Sequence, residues 1–228
     1  MKRSRINEII READAFIRSF GYVLPPFAHL SPAEMQARRG EIGTIVERRM
    51  GWDITDYGQE KFDELGLFLF TVRNGLAADL ARGGGMLYAE KIMISRKDQL
   101  SPMHRHYLKA EDIINRGGGR LVLELFMPDG EGGIDEKAEV SVPVDGVLRR
   151  LPAGGLLKLD PGESVTLLPG VWHAFWGEGA DVLIGEVSTV NDDLTDNWFR
   201  DPIGRFSTVE EDEAPLHLLV SDYQNLLK

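Results

Sequence analysis

The sequence predicts a mainly β protein, an antiparallel sandwich or barrel with N-terminal helices and a C-terminal helical segment. Three observations predict it. From Gly66 onward short β-type runs follow one another, turn residues separate nearly all of them, and helical periodicity is confined to the ends of the chain.

The apolar positions Ile6, Ile9, Ile10, Ala13, Phe16, Ile17 and Phe20 recur at i, i+3, i+4 and i+7, which gives one face of an amphipathic helix, and Gly21 is placed to end it. Ser31-Pro32-Ala33-Glu34 combines an N-cap serine, a proline at the first helical position and a glutamate three residues after the cap, predicting a second helix to about Arg39. Residues 1–65 are therefore read as a helical and irregular N-terminal extension. The runs LFLFTVR, MLYAEKIMIS, RLVLELFMP, AEVSVPV, VLRRL, LLKLD, SVTLLP, HAFWG and DVLIGEV form a barrel over residues 66–190. Asp145-Gly146 is a two-residue hairpin signal, and PDGEGG, PAGG and DPGE mark further turns. Residues 191–228 are read as a C-terminal loop and helix: polar NDDLTDN, an acidic run Glu210, Glu211, Asp212, Glu213 taken as a solvated loop, and LHLLVSDYQNLL as a helix packed on the barrel or on a second subunit. At 228 residues, with neither internal repeat nor low-complexity linker, the chain is expected to form one domain.

Composition narrows the chemistry. With no cysteine, a disulfide framework, a thiolate zinc site and a cysteine nucleophile are all excluded, so any metal must be held by nitrogen and oxygen. A formal charge of -11 argues against a nucleic-acid partner, which needs clustered Lys and Arg. Charges interrupt the apolar residues near the N-terminus and no 18-residue apolar window occurs, so neither a signal peptide nor a membrane span is expected, and the cytoplasm is the expected location.

His104-Arg105-His106 places two imidazoles at i and i+2, on one face of a strand, where they can share a metal ion. Glu111 lies five residues beyond His106, so it joins them only if the chain bends or changes strand near Lys109 and Ala110. With His173 as a fourth donor, three imidazoles and one carboxylate suit Mn²⁺, Fe²⁺, Co²⁺, Ni²⁺ or Zn²⁺ and leave positions open for two substrate oxygens.

These residues resemble the two signature segments of the cupin superfamily, a resemblance that implies an antiparallel β-barrel of jelly-roll type. His104, His106, Glu111 and Gly118 match the first; Gly162, Pro169, Gly170 and His173 match the second. The chain departs from the pattern at Asp98, where the superfamily has a leading glycine, in the turn before His173, which is one residue short, and at Gly177, where an asparagine is often found. Within the superfamily the chain is similar over nearly its whole length to bacterial D-lyxose isomerases, through GWDITDYG, EKIMISRKDQLSPMHRH, LPGVWHAFWGEG, GEVSTVNDD and DPIGRF. The resemblance implies a manganese-dependent ketol-isomerase interconverting D-lyxose and D-xylulose, often with D-mannose and D-fructose as further substrates.

Isomerisation also needs an acid or base. Glu186, at the end of DVLIGEV, is the first candidate for general base, against a rim carboxylate paired to an arginine. Lys91 shares a strand face with Met93 and is read either as an inward group on the sugar or as an outer-face lysine. Glu124, Trp172, Asp192 and Arg205 are further candidates for contacting substrate, each with a structural reading beside it: barrel exterior, core, and loop or interface for the last two. Phe175 shares the ambiguity of Trp172 and Asp193 that of Asp192, while His29 and His217 are taken as structural. Competing functions are a phosphosugar isomerase drawing on Arg105, Lys109, Arg116 or Arg120, an iron-dependent oxygenase, and a non-catalytic sugar-binding barrel. A homodimer is expected.

Overall fold

The computed structural model describes residues 1–226 as a bent antiparallel sheet wrapped round an apolar core, with a helix packed on its outer side. The first helix, α1 (Arg3–Ser19), buries Ile6, Ile9, Ile10, Ala13 and Ile17, the predicted stripe. A 3-10 turn over Pro26–His29 precedes α2 (Pro32–Ala37), which Ser31 and Glu34 begin with a reciprocal capping box. Short helices α3 (Gly43–Glu47) and α4 (Ala77–Arg82) complete the helical part before the C-terminus.

Twelve strands follow in chain order: β1 (Gly51–Thr55), β2 (Leu67–Arg73), β3 (Tyr88–Ser95), β4 (Ser101–Arg105), β5 (Glu111–Pro128), β6 (Ile134–Asp135), β7 (Val140–Val144), β8 (Val147–Leu151), β9 (Gly155–Leu159), β10 (Ser164–Leu167), β11 (Trp172–Thr189) and β12 (Trp198–Phe199). The sheet order is β1-β2-β3-β11-β5-β10-β7-β8, with β4 joining β11 to β12, and β6 and β9 paired to β5. The 18-residue strand β11 is the spine. It runs along β5 on one edge; on the other it meets β4 near its start and β3 over Val182–Thr189.

Alternation on the strands divides the apolar residues between two cores. Met93 and Ile184 join Leu69, Leu123 and Phe175 inside the barrel, whereas Ile92 and Ile94 join Phe68, Phe70 and the α1 stripe outside it. The same alternation turns Lys91 inward with Met93.

Several boundaries differ from those predicted. Residues 1–65 are not wholly helical and irregular, because GWDIT forms β1, buried along its whole length; its Asp53 disguised a strand whose polar side chain has an ion partner inside. RLVLELFMP is the second half of β5, which begins at Glu111, and HAFWG and DVLIGEV are halves of β11. β12 lies beyond the predicted barrel limit at 190. In the C-terminal segment only α5 (Tyr223–Leu226) is helical, and Leu227 and Lys228 lie outside the described residues. Leu218 and Val220 instead pack on Met35 and Ile42 of the same chain. The acidic run is not simply solvated: Glu211 pairs with Arg3, and Asp212 accepts from the Ser4 hydroxyl.

Candidate active site

Antiparallel pairing sets His173 of β11 opposite His104 of β4. His106 follows the end of β4, and the connection through Lys109 and Ala110 turns the chain so that Glu111 opens β5. This is the strand change that the odd spacing required. One nitrogen from each of His104, His106 and His173 lies within 4.8 Å of the others.

Each imidazole is oriented by the main chain. His104 Nδ1 is 2.8 Å from the Pro102 carbonyl, His173 Nδ1 is 3.1 Å from that of Val171, and His106 Nδ1 is 2.5 Å from that of Asp196. A carbonyl can only accept, so each Nδ1 carries the proton and each Nε2 presents a lone pair. His106 Nε2 is buried with no hydrogen-bond partner, as is Glu111 Oε1. Burial, reinforced by the other two imidazoles, holds His104 well below the usual histidine range. Burial first and then the Lys109 charge push His106 down to about 3. Neutral, converging nitrogens beside an unpartnered carboxylate oxygen fit a divalent cation.

Glu111 Oε1 lies 3.6 Å from His106 Nε2 and 3.2 Å from His173 Nε2, while its Oε2 is 2.6 Å from Lys109 Nζ. Burial alone would raise this carboxyl, but Lys109 and His106 outweigh it and hold it well below the carboxylate range. Lys109 also donates to Glu186 at 3.1 Å. Burial opposes its charge; the two carboxylates overcome that and keep the ammonium protonated above the usual lysine range.

Beyond Glu186 the cavity continues into a second ionic cluster. Lys91 Nζ lies 3.3 Å from Glu186 and donates to Asn191 Oδ1 at 2.6 Å. Arg205 Nη2 reaches Asp53 at 2.7 Å and Asp193 at 3.4 Å, leaving its Nη1 buried without a partner. Burial raises Asp53, with Asp193 adding to the effect against Arg205. Asp193 resists burial through Arg205 and Lys91 and stays well below the usual range. Tyr57, pushed up to about 12 by burial, shares a 3.1 Å hydrogen bond with Ser101. The cavity is narrow, with about 40 Å³ of free space, and has Phe175 and Phe199 among its apolar walls.

The structure brings seven of the sequence candidates to this cavity: His104, His106, Glu111, His173, Lys91, Glu186 and Arg205. Three others lie elsewhere. Trp172 precedes His173 on the strand and faces the opposite side, packing on Met103 and donating its indole N–H to Gly133. Glu124 alternates with the interior residues Leu123 and Leu125 and is turned outward. Asp192 caps its own loop through Leu194 and Thr195, and its neighbour Asp193 lines the site instead. No sequence signal marks Asp53, Tyr57 or Asp196; Asp193 stands open with Asp192 between a role at the barrel mouth and loop structure or an interface, and Lys109 is offered only as a phosphate contact. The partners of Asp53, Tyr57 and Asp196 lie too far along the chain for spacing to reveal, and Lys109, two residues from Glu111, meets its second carboxylate only across the barrel on β11.

An antiparallel barrel that gathers histidines and a carboxylate at the strand ends defines a cupin-type enzyme. Solved structures of L-ribose isomerases share this fold. The one from Cellulomonas parahominis, bound to L-ribose, matches with a TM-score of 0.60 at 17% identity, covering 92% of this chain and 98% of that one. The one from Geodermatophilus obscurus matches at 0.53 and 20% identity with the same coverage. The chain belongs to the D-lyxose isomerase family, whose family model matches residues 1–223. It is 47% identical over 226 residues to the D-lyxose/D-mannose isomerase of Serratia proteamaculans, covering 98% of each chain. It is 43% identical over 227 residues to the D-lyxose/D-mannose isomerase of Escherichia coli O157:H7, covering 98% of this chain and 99% of that one. It is therefore a sugar isomerase that interconverts an aldose and a ketose.

Proposed function

We propose that the chain is a manganese-dependent ketol-isomerase of D-lyxose and D-xylulose, with D-mannose and D-fructose as further substrates. Three imidazoles whose Nδ1 atoms are tied to carbonyls, leaving Nε2 free toward one point, carry the metal reading. The names of the two relatives support the sugars. His104, His106, His173 and the free oxygen of Glu111 would hold Mn²⁺, which supplies positive charge to polarise a carbonyl and stabilise a developing oxyanion.

The protein's own groups handle the protons. Glu186, fixed between Lys109 and Lys91, takes the C2 proton of the open-chain aldose while Lys91 gives a proton to O1, forming the enediol; Glu186 then returns its proton to C1 as Lys91 takes back the proton on O2, leaving the ketose. Lys91 is the donor beside it that meets a sugar oxygen. Arg205, with an unpartnered Nη1, serves the far hydroxyls.

The phosphosugar reading loses support from charge placement. Lys91, Lys109 and Arg205 are each paired to carboxylates, so no cation in the cavity is spare for a phosphate. Arg105 is turned outward onto Tyr107 and Trp172, and Arg120 pairs with Asp160 and Glu178 on the exterior. The reading also includes a cytoplasmic homodimer; the exposed rings of Tyr107 and Trp198, packed edge to face at 5.2 Å, offer an apolar surface that supports pairing.

Chelator-stripped protein should form ketose from D-lyxose and D-mannose under nitrogen only after Mn²⁺ is added. Glu186→Gln should retain the metal and lose about 10²–10⁴-fold in turnover. Oxygen-dependent product would support the oxygenase, and bound metal with no ketose from either sugar would overturn the isomerase substrates proposed here. Full turnover in Glu186→Gln would move the base elsewhere in the cavity.

A further inference from the structure

Asp196 stands between β11 and β12, outside the cavity lining, and is 5% exposed. Its Oδ1 accepts from the backbone N–H of Tyr107 at 2.6 Å and of Leu108 at 3.1 Å. Oδ2 accepts from Leu108 at 3.2 Å and from Lys109 at 2.9 Å. Its own carbonyl accepts from His106 Nδ1 at 2.5 Å. One residue thus holds four consecutive residues, 106–109, through both its side chain and its main chain.

We propose that Asp196 is a positioning residue of the isomerase site: its carboxylate caps the 107–109 turn and so fixes the direction of His106 Nε2 and the placement of Lys109 between Glu111 and Glu186. The inference rests on the metal reading given above. Three successive N–H groups aimed at one carboxylate make an anion nest, and bonds to a charged acceptor are roughly twice as strong as neutral ones. No strand pairing orients this turn, since β4 ends at Arg105 and β5 begins at Glu111. Without the carboxylate the three N–H groups lose their acceptor, and the turn is left to its flanking bonds, the Gly170 N–H on the His106 carbonyl and the Thr189 N–H on the Ala110 carbonyl.

The same segment grips the second cluster. Asn191 accepts from Lys91, and Asp193 faces Arg205. Residues 191–196 therefore fasten to the metal-binding turn at one end and to the sugar-facing cations at the other. Asp196 does not line the cavity, so it acts through His106 and Lys109.

The test uses the full chain, stripped of metal, as wild type, Asp196→Ala and Asp196→Asn. Mn²⁺ affinity is measured by calorimetric titration, and amide exchange is followed at residues 107–109. The alanine variant should bind Mn²⁺ about 10–100-fold more weakly. Its 107–109 amides should exchange faster while those of β2 and β3 keep their wild-type rates. The asparagine variant, which retains one acceptor oxygen, should weaken binding by about 2–10-fold and serves if the alanine variant does not fold. A structural role alone would lower stability and leave the Mn²⁺ affinity of the folded molecules unmoved; that result in the asparagine variant, or in folded alanine variant, overturns the proposal. If wild-type protein takes up no Mn²⁺, the metal reading falls and this proposal with it, whereas normal uptake by wild type and variants alike removes only the positioning role.

Discussion

A buried imidazole that stays neutral makes the folded state vulnerable to acid. His104 and His106 are held below the ordinary histidine value in the fold, while the unfolded chain binds their protons near pH 6.5. Above that pH neither state is protonated at these sites and they contribute nothing to the pH dependence. As the pH falls through 6.5 the unfolded state takes up protons that the folded state refuses, so stability declines by up to about 1.4 kcal/mol per pH unit for each imidazole. The depressed carboxyls Glu111 and Asp193 act lower, where unfolded carboxylates protonate near pH 4. Metal-free protein should therefore lose urea resistance between pH 6.5 and 5, and His104→Gln should flatten that slope; a flat wild-type profile over this window would contradict the neutral triad. At this scale the sequence was most readable where local period governs. The His-x-His pair and the shared face of Lys91 and Met93 follow from a repeat of two, though which way that face points does not. The same parity, applied to Trp172 beside His173, would have turned the tryptophan away. Lys109 could not be read so, because its two carboxylates come from residues two and seventy-seven positions away, and only the barrel brings them together.

At the scale of elements, the site exists because β5 and β11 bend in their middles. The ladder between them is irregular from Glu178 to Val182, opposite Gly117, Gly118 and Arg120, and beyond it the two strands continue as partners to Ser188 and Glu111. The bend lets one strand deliver His173 and Glu186 from its two halves to one cavity. Gly118 makes it feasible: its φ is +96°, and a Cβ there would stand 2.1 Å from the Asp181 carbonyl oxygen. Gly118→Ala thus combines backbone strain of about 1–3 kcal/mol with overpacking of similar size. The expected result is a drop of several degrees or more in the thermal midpoint and loss of Mn²⁺ retention. A variant with wild-type midpoint and metal content would show that the bend does not depend on this residue. In the sequence RLVLELFMP stands as a run of its own after GGG, because the neighbours on β11 that make GGG a bend inside one long strand are some sixty residues distant. The hairpin at Asp145-Gly146 was legible for the opposite reason, since both its strands are adjacent in sequence.

At the scale of the whole molecule, the two ends of the chain close on each other. Met1 donates its ammonium to the Thr208 carbonyl at 2.6 Å, the Arg3 N–H reaches the Glu210 carbonyl at 2.8 Å, and Ser4 meets Asp212. Arg3 is the centre of this closure, fully buried, with two bonds of 3.0 Å to Asp222 and two more to Glu211. The charge run at 210–213 looked like solvated loop because its cationic partner lies two hundred residues upstream on the polar edge of α1. Glu211 is 55% exposed and adds little, whereas Asp222 is nearly enclosed and depends on the guanidinium for its charge. Removing one member of such a pair leaves the other charge buried alone, at a cost of about 3–5 kcal/mol. Arg3→Met keeps much of the volume and should lower the urea midpoint accordingly, and adding Asp222→Asn should recover part of the loss, because the stranded charge is then gone. Folded Arg3→Met should bind Mn²⁺ as wild type does, since Arg3 contributes nothing to the cavity wall. An additive double variant would mean the two side chains do not act as a buried pair, and the closure of the chain ends would then rest on the backbone contacts and the apolar packing of Leu218 and Val220.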